Sequence, residues 1–362
     1  MKKFTHNQGI DFLRGIAILL VLLLHFQLAY HLGSIMDLLA GNGNYGVTIF
    51  FVISGFLITS ISLKRYQSFA TINIYEFYLF RFARVIPCLI LALGLITMFN
   101  LFDISIFKNK HAVSYSETIL SVLMFWHNIL MEKVGYFNYC INIYWSLSVE
   151  EVFYFIFPIL SIFLKKKQFI ITFWLFLIIL CPFYRSYYAD NEIISLYSNF
   201  SCFDAISIGC LCAVQADKIN LPKIYTWIAI AGMMFIYFYK GIMDNIILGP
   251  TLIALFTGIL LIKTNALPHL KIFKYTKLIG LFGKNSYELY LFHIIILAII
   301  KSIIPYNILN IYEKLLLLLA FLIVSFIICN LIAKIYSEPI NKYLRSLYFL
   351  PLKRESKCNE LQ

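Results

Sequence analysis

The sequence predicts an all-α fold, a polytopic transmembrane bundle of about ten spans with one shorter segment that does not cross. Three observations carry this expectation. Hydrophobic residues make up 61% of the 362, mean hydropathy is +0.82 and only 13% are charged, whereas soluble domains are about half apolar and a quarter charged. The apolar residues come in runs of about twenty, the length that crosses a bilayer. The cations gather on alternate sides of those runs, as the positive-inside rule requires.

The runs lie at 10–32, 45–63, 79–101, 145–164, 168–184, 198–215, 224–240, 246–262, 286–304 and 315–336. With the N-terminus inside, 23 of the 30 Lys and Arg fall on the cytoplasmic side, including the Lys165–Lys167 run. Lys108, Lys110, Lys133, Arg185, Lys240, Lys301 and Lys314 remain outside. A further apolar run at 118–131 is only fourteen residues long, about 21 Å of helix against a core of about 30 Å. It reads as re-entrant or interfacial, because a full span there would carry most later cations outside. Both termini are then cytoplasmic. The expected organisation is a membrane domain over 1–346 and a short basic tail over 347–362, with no cleavable signal peptide and no internal repeat. A net charge of +12 would suggest nucleic acid in a soluble protein; here the cations belong to the membrane boundary, and no nucleic-acid partner is expected.

The first span pairs Arg14 with His25. Eleven residues make three turns and 20°, so the two share one helix face about 16 Å apart. Arg14 lies near the inner boundary, where it either snorkels to the headgroups or lines a cavity. His25 lies deep in the bilayer, where an ionisable group usually marks a functional cavity and a neutral imidazole can accept a proton. Packing alone is the competing reading. The second span places Ser54 and Gly55 midway, where small side chains let a helix or a ligand approach closely.

The third span opens with YLFRFARVIP. Arg81 and Arg84, at i and i+3, project from one face. They are either an inner-face anchor or a phosphate clamp, since guanidinium forks match phosphate oxygens. The fourth span begins YWSLSVEEVFYFIFP. Trp145 suits an interface, but Glu150 and Glu151 lie one to two turns into the membrane and need a partner or a polar pocket. Ser146, Glu150 and Tyr154 share a face at i, i+4 spacing and can form a hydrogen-bonded row.

Asp204 in the sixth span, and Glu288 with His293 in the ninth, add to a polar interior; each alone fits bundle glue equally well. His31 and His127 read as outer-interface residues, while His6, His111 and His269 fall in tails or loops. The eight cysteines contain no CxxC pair and read as small hydrophobes. No Walker, HExxH, GxSxG or GxGxxG motif occurs, which argues against ATP-driven transport and familiar hydrolase chemistry. No metal site and no permanently bound cofactor is expected.

Together these stretches resemble the acyltransferase 3 family of bacterial integral-membrane acyltransferases. That family is marked by a basic residue, ten residues, then His in the first span, matched here by Arg14 and His25. FFVISGFLIT resembles its second-span signature, Arg81-Phe-Ala-Arg84 its RxxR motif, and WSLSVEEVFY its Trp-Ser-Leu-x-x-Glu stretch, with Glu150 at the glutamate. GKNSYELYLFH is similar to its ninth-span motif. SEPINKYLR is similar to its closing Glu-x-Pro segment, although Glu338 and Pro339 are adjacent here. The match runs from about residue 8 to 346. Some members carry an extracellular SGNH hydrolase-like domain after the spans; the resemblance is to the form without one.

The resemblance implies transfer of an acyl group, most often acetyl, from acyl-CoA to a hydroxyl of an envelope or secreted glycan, at the bacterial cytoplasmic (inner) membrane. Arg81 and Arg84 would hold the phosphates of the donor while its arm threads toward His25, with Arg14 lining the channel. His25 would act as general base or form an acyl-imidazole. Glu150 would orient the acceptor or the imidazole, with Ser54, Tyr154 and His293 lining the pocket. The expected partners are acyl-CoA (acetyl-CoA first), the glycan acceptor and membrane lipids. An exporter of a glycan or small acid is the reading from another class, and N-acylation of an amine would need the same base.

Overall fold

The computed structural model describes residues 7–109, 113–266 and 276–359, so His6, His111 and His269 lie outside the described residues. Its helices follow the apolar runs closely. They are α1 Gln8–Tyr30, α2 Ser34–Ala40, α3 Tyr45–Tyr66, α4 Ile74–Leu101, α5 Tyr115–Leu123, α6 His127–Val134, α7 Trp145–Leu164 and α8 Lys167–Tyr187. After these come α9 Glu192–Tyr197, α10 Asn199–Gln215, α11 Lys223–Tyr239, α12 Gly249–Ala266, α13 Lys277–Lys284, α14 Ser286–Ile303, α15 Ile311–Ile332 and α16 Glu338–Asn359. Among the described residues, nine helical segments are long and apolar enough to cross a membrane. The seventh expected span, α11, is apolar but has 17 residues, about 26 Å at 1.5 Å each. Large apolar side chains cover the outside of the bundle, as on α15, where Leu316, Leu319 and Ile323 are exposed. Lipid tolerates such a surface and water does not.

Residues 118–131 do not form one helix. They are split between α5 and α6, with Phe125 at φ 58° in the turn. Ser114 caps α5 by accepting from the Glu117 amide, which fixes where that short helix starts.

Two close crossings set the geometry around the polar residues. A Cβ on Gly55 would lie 2.0 Å from the Ile206 carbonyl oxygen, and one on Gly209 would lie 2.0 Å from that of Val52. Glycine on both helices is what lets α3 and α10 touch backbone to backbone. A Cβ on Gly15 would meet the Ile279 carbonyl at 2.0 Å, and one on Gly283 that of Asp11 at 1.7 Å, which pins α13 against the start of α1. Gly55 therefore serves helix packing, while its neighbour Ser54 faces the other way.

The apolar core falls into two clusters, one around α3, α7, α8 and α10, the other around α1, α4 and α14. Phe50 and Tyr290 pack against both. A seam between two separately packed cores is where a cavity can open without unpacking either. The last element differs from the expected tail. After α15 the chain makes one turn of π-helix, Ala333–Ser337, and continues as α16, with Pro339 in its first turn. Pro339 cannot donate to the turn before it, and it follows directly on the π-turn, where the continuous helix already departs from regular i→i−4 bonding. Residues 347–359 continue this helix without a break at 346.

Candidate active site

A cavity of about 250 Å³ opens along the seam, bounded by Arg14, Ser54, Arg81, Arg84, Glu150 and Tyr154. These residues come from α1, α3, α4 and α7. All six of these candidates thus meet at one place, although their positions span 140 residues of sequence. The two histidines do not line the cavity. They sit behind Tyr290, which does; its ring centroid is 6.0 Å from that of His293.

His25 and His293 face each other edge-on, with ring centroids 4.9 Å apart and an interplanar angle of 66°. His293 is fully buried. Its Nδ1 lies 2.9 Å from the carbonyl oxygens of both Leu289 and Tyr290. Carbonyls only accept, so this nitrogen carries the proton, and neutral His293 has its lone pair on Nε2. That atom lies 3.4 Å from His25 Nδ1, which itself lies 2.9 Å from the Val21 carbonyl oxygen. Two acceptors around His25 Nδ1 assign its proton there as well. The lone pair of neutral His25 is then on Nε2, which meets no protein donor among the described residues.

Arg81 has partners on two sides. Its guanidinium lies 3.5 Å from the Tyr154 ring centroid and 3.9 Å from Glu151 Oε1, a stacked arrangement lysine cannot reproduce. Its buried Nε has no acceptor. Arg14 and Arg84 make no ion pair within 4 Å among the described residues. Glu150 is within electrostatic reach of Arg81, Arg84 and Arg14. The site is an excess of guanidinium over carboxylate in a water-poor seam, and an anionic ligand would relieve it.

The expected row along α7 is present as a face but not as a chain of hydrogen bonds. Ser146, Glu150 and Tyr154 all face the cavity. Tyr154 bonds instead to Ser54 on α3, and Ser146 bonds to the Tyr290 hydroxyl on α14 at 2.6 Å. The Tyr290 hydroxyl also lies 2.9 Å from the Ile143 carbonyl oxygen. These bonds tie α7 to its neighbours across the seam.

Other polar residues prove structural. Asp204 accepts from Arg185 at 2.8 Å and from Thr251 at 2.6 Å, with both charged side chains fully buried. Arg185 is therefore no loop cation, as the charge count had it, but the partner of a buried carboxylate. Glu288 accepts from the Ser337 hydroxyl at 2.6 Å and ties α14 to the π-turn. His127 is fully buried, 2.7 Å from Ser121 Oγ, rather than at an interface. His31 is exposed at the end of α1, with φ 49°.

Sequence reasoning missed Arg65, Arg345 and Tyr290, all of which line the cavity. Arg65 had a signal: it lies eleven residues after Ser54, the same one-face interval that joins Arg14 to His25. Arg345 closes the SEPINKYLR stretch, but nothing in that stretch marked it as facing a cavity.

Residues 7–334 match a family model described as an acyltransferase domain, Acyl_transf_3. O-acetyltransferase OatA of Staphylococcus aureus, strains NCTC 8325 / PS 47 and COL, is 26% identical over 321 residues, covering 81% of this chain and 51% of OatA. A protein of S. aureus strain MSSA476, whose name also includes O-acetyltransferase, is 28% identical over 331 residues, 83% of this chain and 52% of its own. The chain spans about half the length of these curated relatives. No solved structure matches it. With its family model covering nearly all of the bundle and the cavity described above, the chain belongs to the acyltransferase 3 family of membrane proteins.

Proposed function

We propose that this protein moves an acyl group, acetyl in the first instance, from acyl-CoA to a hydroxyl of an envelope or secreted glycan. The observation that carries the reading is the His25–His293 pair beside an arginine-lined cavity, with His25 Nε2 left open. As the acceptor oxygen attacks the thioester carbonyl, His25 Nε2 takes the hydroxyl proton. The carbon–sulfur bond breaks, and the same proton passes to the departing thiolate. The products are the glycan ester and free CoA. General-base action of this kind is worth about 10²–10⁴-fold. An acyl-imidazole on the same nitrogen would use the same open lone pair.

The donor phosphates are drawn to the arginines, with Arg81 and Arg84 at the cavity wall and Arg14 along its side. Glu150, between those cations and the acceptor side, orients the incoming hydroxyl. The membrane is the bacterial cytoplasmic membrane, and the end of the bundle with Lys165–Lys167 faces the cytoplasm, where acyl-CoA is made. The names of the S. aureus relatives support O-acetylation.

The test uses purified protein in nanodiscs with acetyl-CoA and candidate glycans, following thiol release and mass gain on the acceptor. Acceptor-dependent thiol release is the expected result. Glycan movement across the membrane without thioester consumption would instead support an exporter. Mass spectrometry of envelope and secreted glycans, with and without the gene, then names acyl group and acceptor together.

A further inference from the structure

Beyond Arg81 and Arg84, two more guanidiniums stand at the cavity. Arg65 lies in the last turn of α3, and Arg345 lies on α16; both line the cavity wall. Their guanidinium carbons are 4.4 and 5.1 Å from the centroid of the Phe80 ring, so the two cations are no further apart than those distances together. Arg65 has a carboxylate partner, Glu76 at 3.4 Å. Arg345 has none among the described residues. There its Nη2 reaches the Phe80 carbonyl oxygen, at 3.4 Å, and its buried Nε finds no acceptor. The described charges that act on Arg345 are those of Arg84, Arg65 and Arg81, all positive. A like-charged cluster with unpaired donors is costly unless an anion completes it.

We propose that Arg65 and Arg345, together with Arg84, form a phosphate subsite at the mouth of the cavity for the nucleotide end of the donor thioester. This rests on the acyl-CoA reading above. The cavity, at about 250 Å³, is small against the roughly 300–1,000 Å³ of sites that enclose a whole drug-sized ligand. It suits the narrow acyl-bearing arm, and the bulky phosphorylated nucleotide then stays at the mouth. Guanidinium forks match phosphate oxygens in pairs, which ammonium groups do not. Arg81, held by Tyr154 and Glu151, takes the phosphate nearest the start of the arm.

An anionic lipid headgroup would bring the same chemistry, so the test separates the two. The full chain is placed in phosphatidylcholine nanodiscs, and binding of CoA and of pantetheine, which lacks every phosphate, is measured by thermophoresis. Wild type should bind CoA the more tightly. Arg345→Ala and Arg65→Ala should each weaken CoA binding about tenfold or more, the scale of a lost charge-assisted hydrogen bond, with pantetheine unaffected. Arg345→Lys should keep part of the preference and guards against misfolding of the alanine variant. Adding phosphatidylglycerol should leave CoA affinity unchanged. The subsite is refuted by unchanged CoA affinity in both alanine variants, by an equal loss for pantetheine, or by competition from phosphatidylglycerol. The subsite and the transfer reaction fail separately: Arg345-dependent CoA binding without any acetyl-CoA turnover would retain the subsite and remove the acyltransfer reading.

Discussion

His293 Nε2 lies 3.4 Å from His25 Nδ1, the nitrogen that also lies 2.9 Å from the Val21 carbonyl oxygen, and these two acceptors together decide which nitrogen of His25 is available. Because Leu289 and Tyr290 hold the proton of His293 on Nδ1, its Nε2 can only accept. The partner ring therefore presents its own N–H on Nδ1 and its lone pair on Nε2. A second histidine thus joins the Val21 carbonyl in setting the tautomer of the first.

His25→Gln and His25→Ala should both abolish acyl transfer while the protein still inserts and binds CoA. Glutamine keeps a polar side chain but cannot take a proton at neutral pH. The expected loss is about 10²–10⁴-fold in kcat, roughly 3–5 kcal/mol of barrier. Near-normal turnover by His25→Gln at ordinary expression would remove the catalytic assignment.

His293 is a positioning residue, so its loss should be smaller and of a different kind. His293→Ala should lower kcat roughly tenfold, about 1.4 kcal/mol, with KM for the donor unchanged. His293→Gln should recover part of the rate, since its amide oxygen can accept from His25 Nδ1–H. A purely structural histidine would lower the unfolding temperature in both variants without this split between kcat and KM.

Arg81 and Arg84 should separate. Arg81→Ala takes from the largely buried Glu151 the cation 3.9 Å away, and leaving such a group unpaired costs about 1–3 kcal/mol. Its unfolding temperature should fall, and adding Glu151→Gln should restore much of it. Arg84 makes no such pair, so Arg84→Ala should raise KM for acetyl-CoA at near-normal stability. Dephospho-CoA thioesters should lose part of that penalty. Equal stability of the two alanine variants would mean that the Arg81–Glu151 pair contributes nothing to the fold.

The topology follows from the cation split rather than from the site. Single cysteines at 165–167 and in the C-terminal segment should label only from the cytoplasmic side, and those at 188–191 or 304–310 only from outside. Outward labelling of Lys165→Cys would invert the orientation and with it the side from which the donor enters.

Much of this was legible in the sequence. Helix periodicity put Arg14 with His25 on one face, and Arg81 with Arg84, because a single helix fixes those relations. What it could not show is contact between elements. His25 and His293 are 268 residues apart, and no spacing rule joins them. Gly55 was ambiguous between packing and ligand approach until the Ile206 carbonyl stood against it. Arg345 was hidden because its place at the cavity depends on how α16 sits beside α3 and α4, which no spacing within α16 shows. That 118–131 is too short to cross was legible from its length, but its break at Phe125 was not.

The Arg185–Asp204 pair offers the cleanest control on all site assignments. Both side chains are fully buried, and Thr251 donates to the same Oδ2 that Arg185 contacts. Arg185 also reaches the carbonyls of Ile247 and Ser201, so it clamps α8, α10 and the start of α12 together. None of these residues lines the arginine-rich cavity. Asp204→Ala leaves a buried guanidinium without its anion, a loss of about 3–5 kcal/mol. Asp204→Asn, which still offers an oxygen acceptor, should lose less. Both variants should unfold at lower temperature in detergent, in that order, while the folded fraction keeps the wild-type KM for acetyl-CoA. A changed KM at unchanged stability would mean that this buried pair communicates with the donor site.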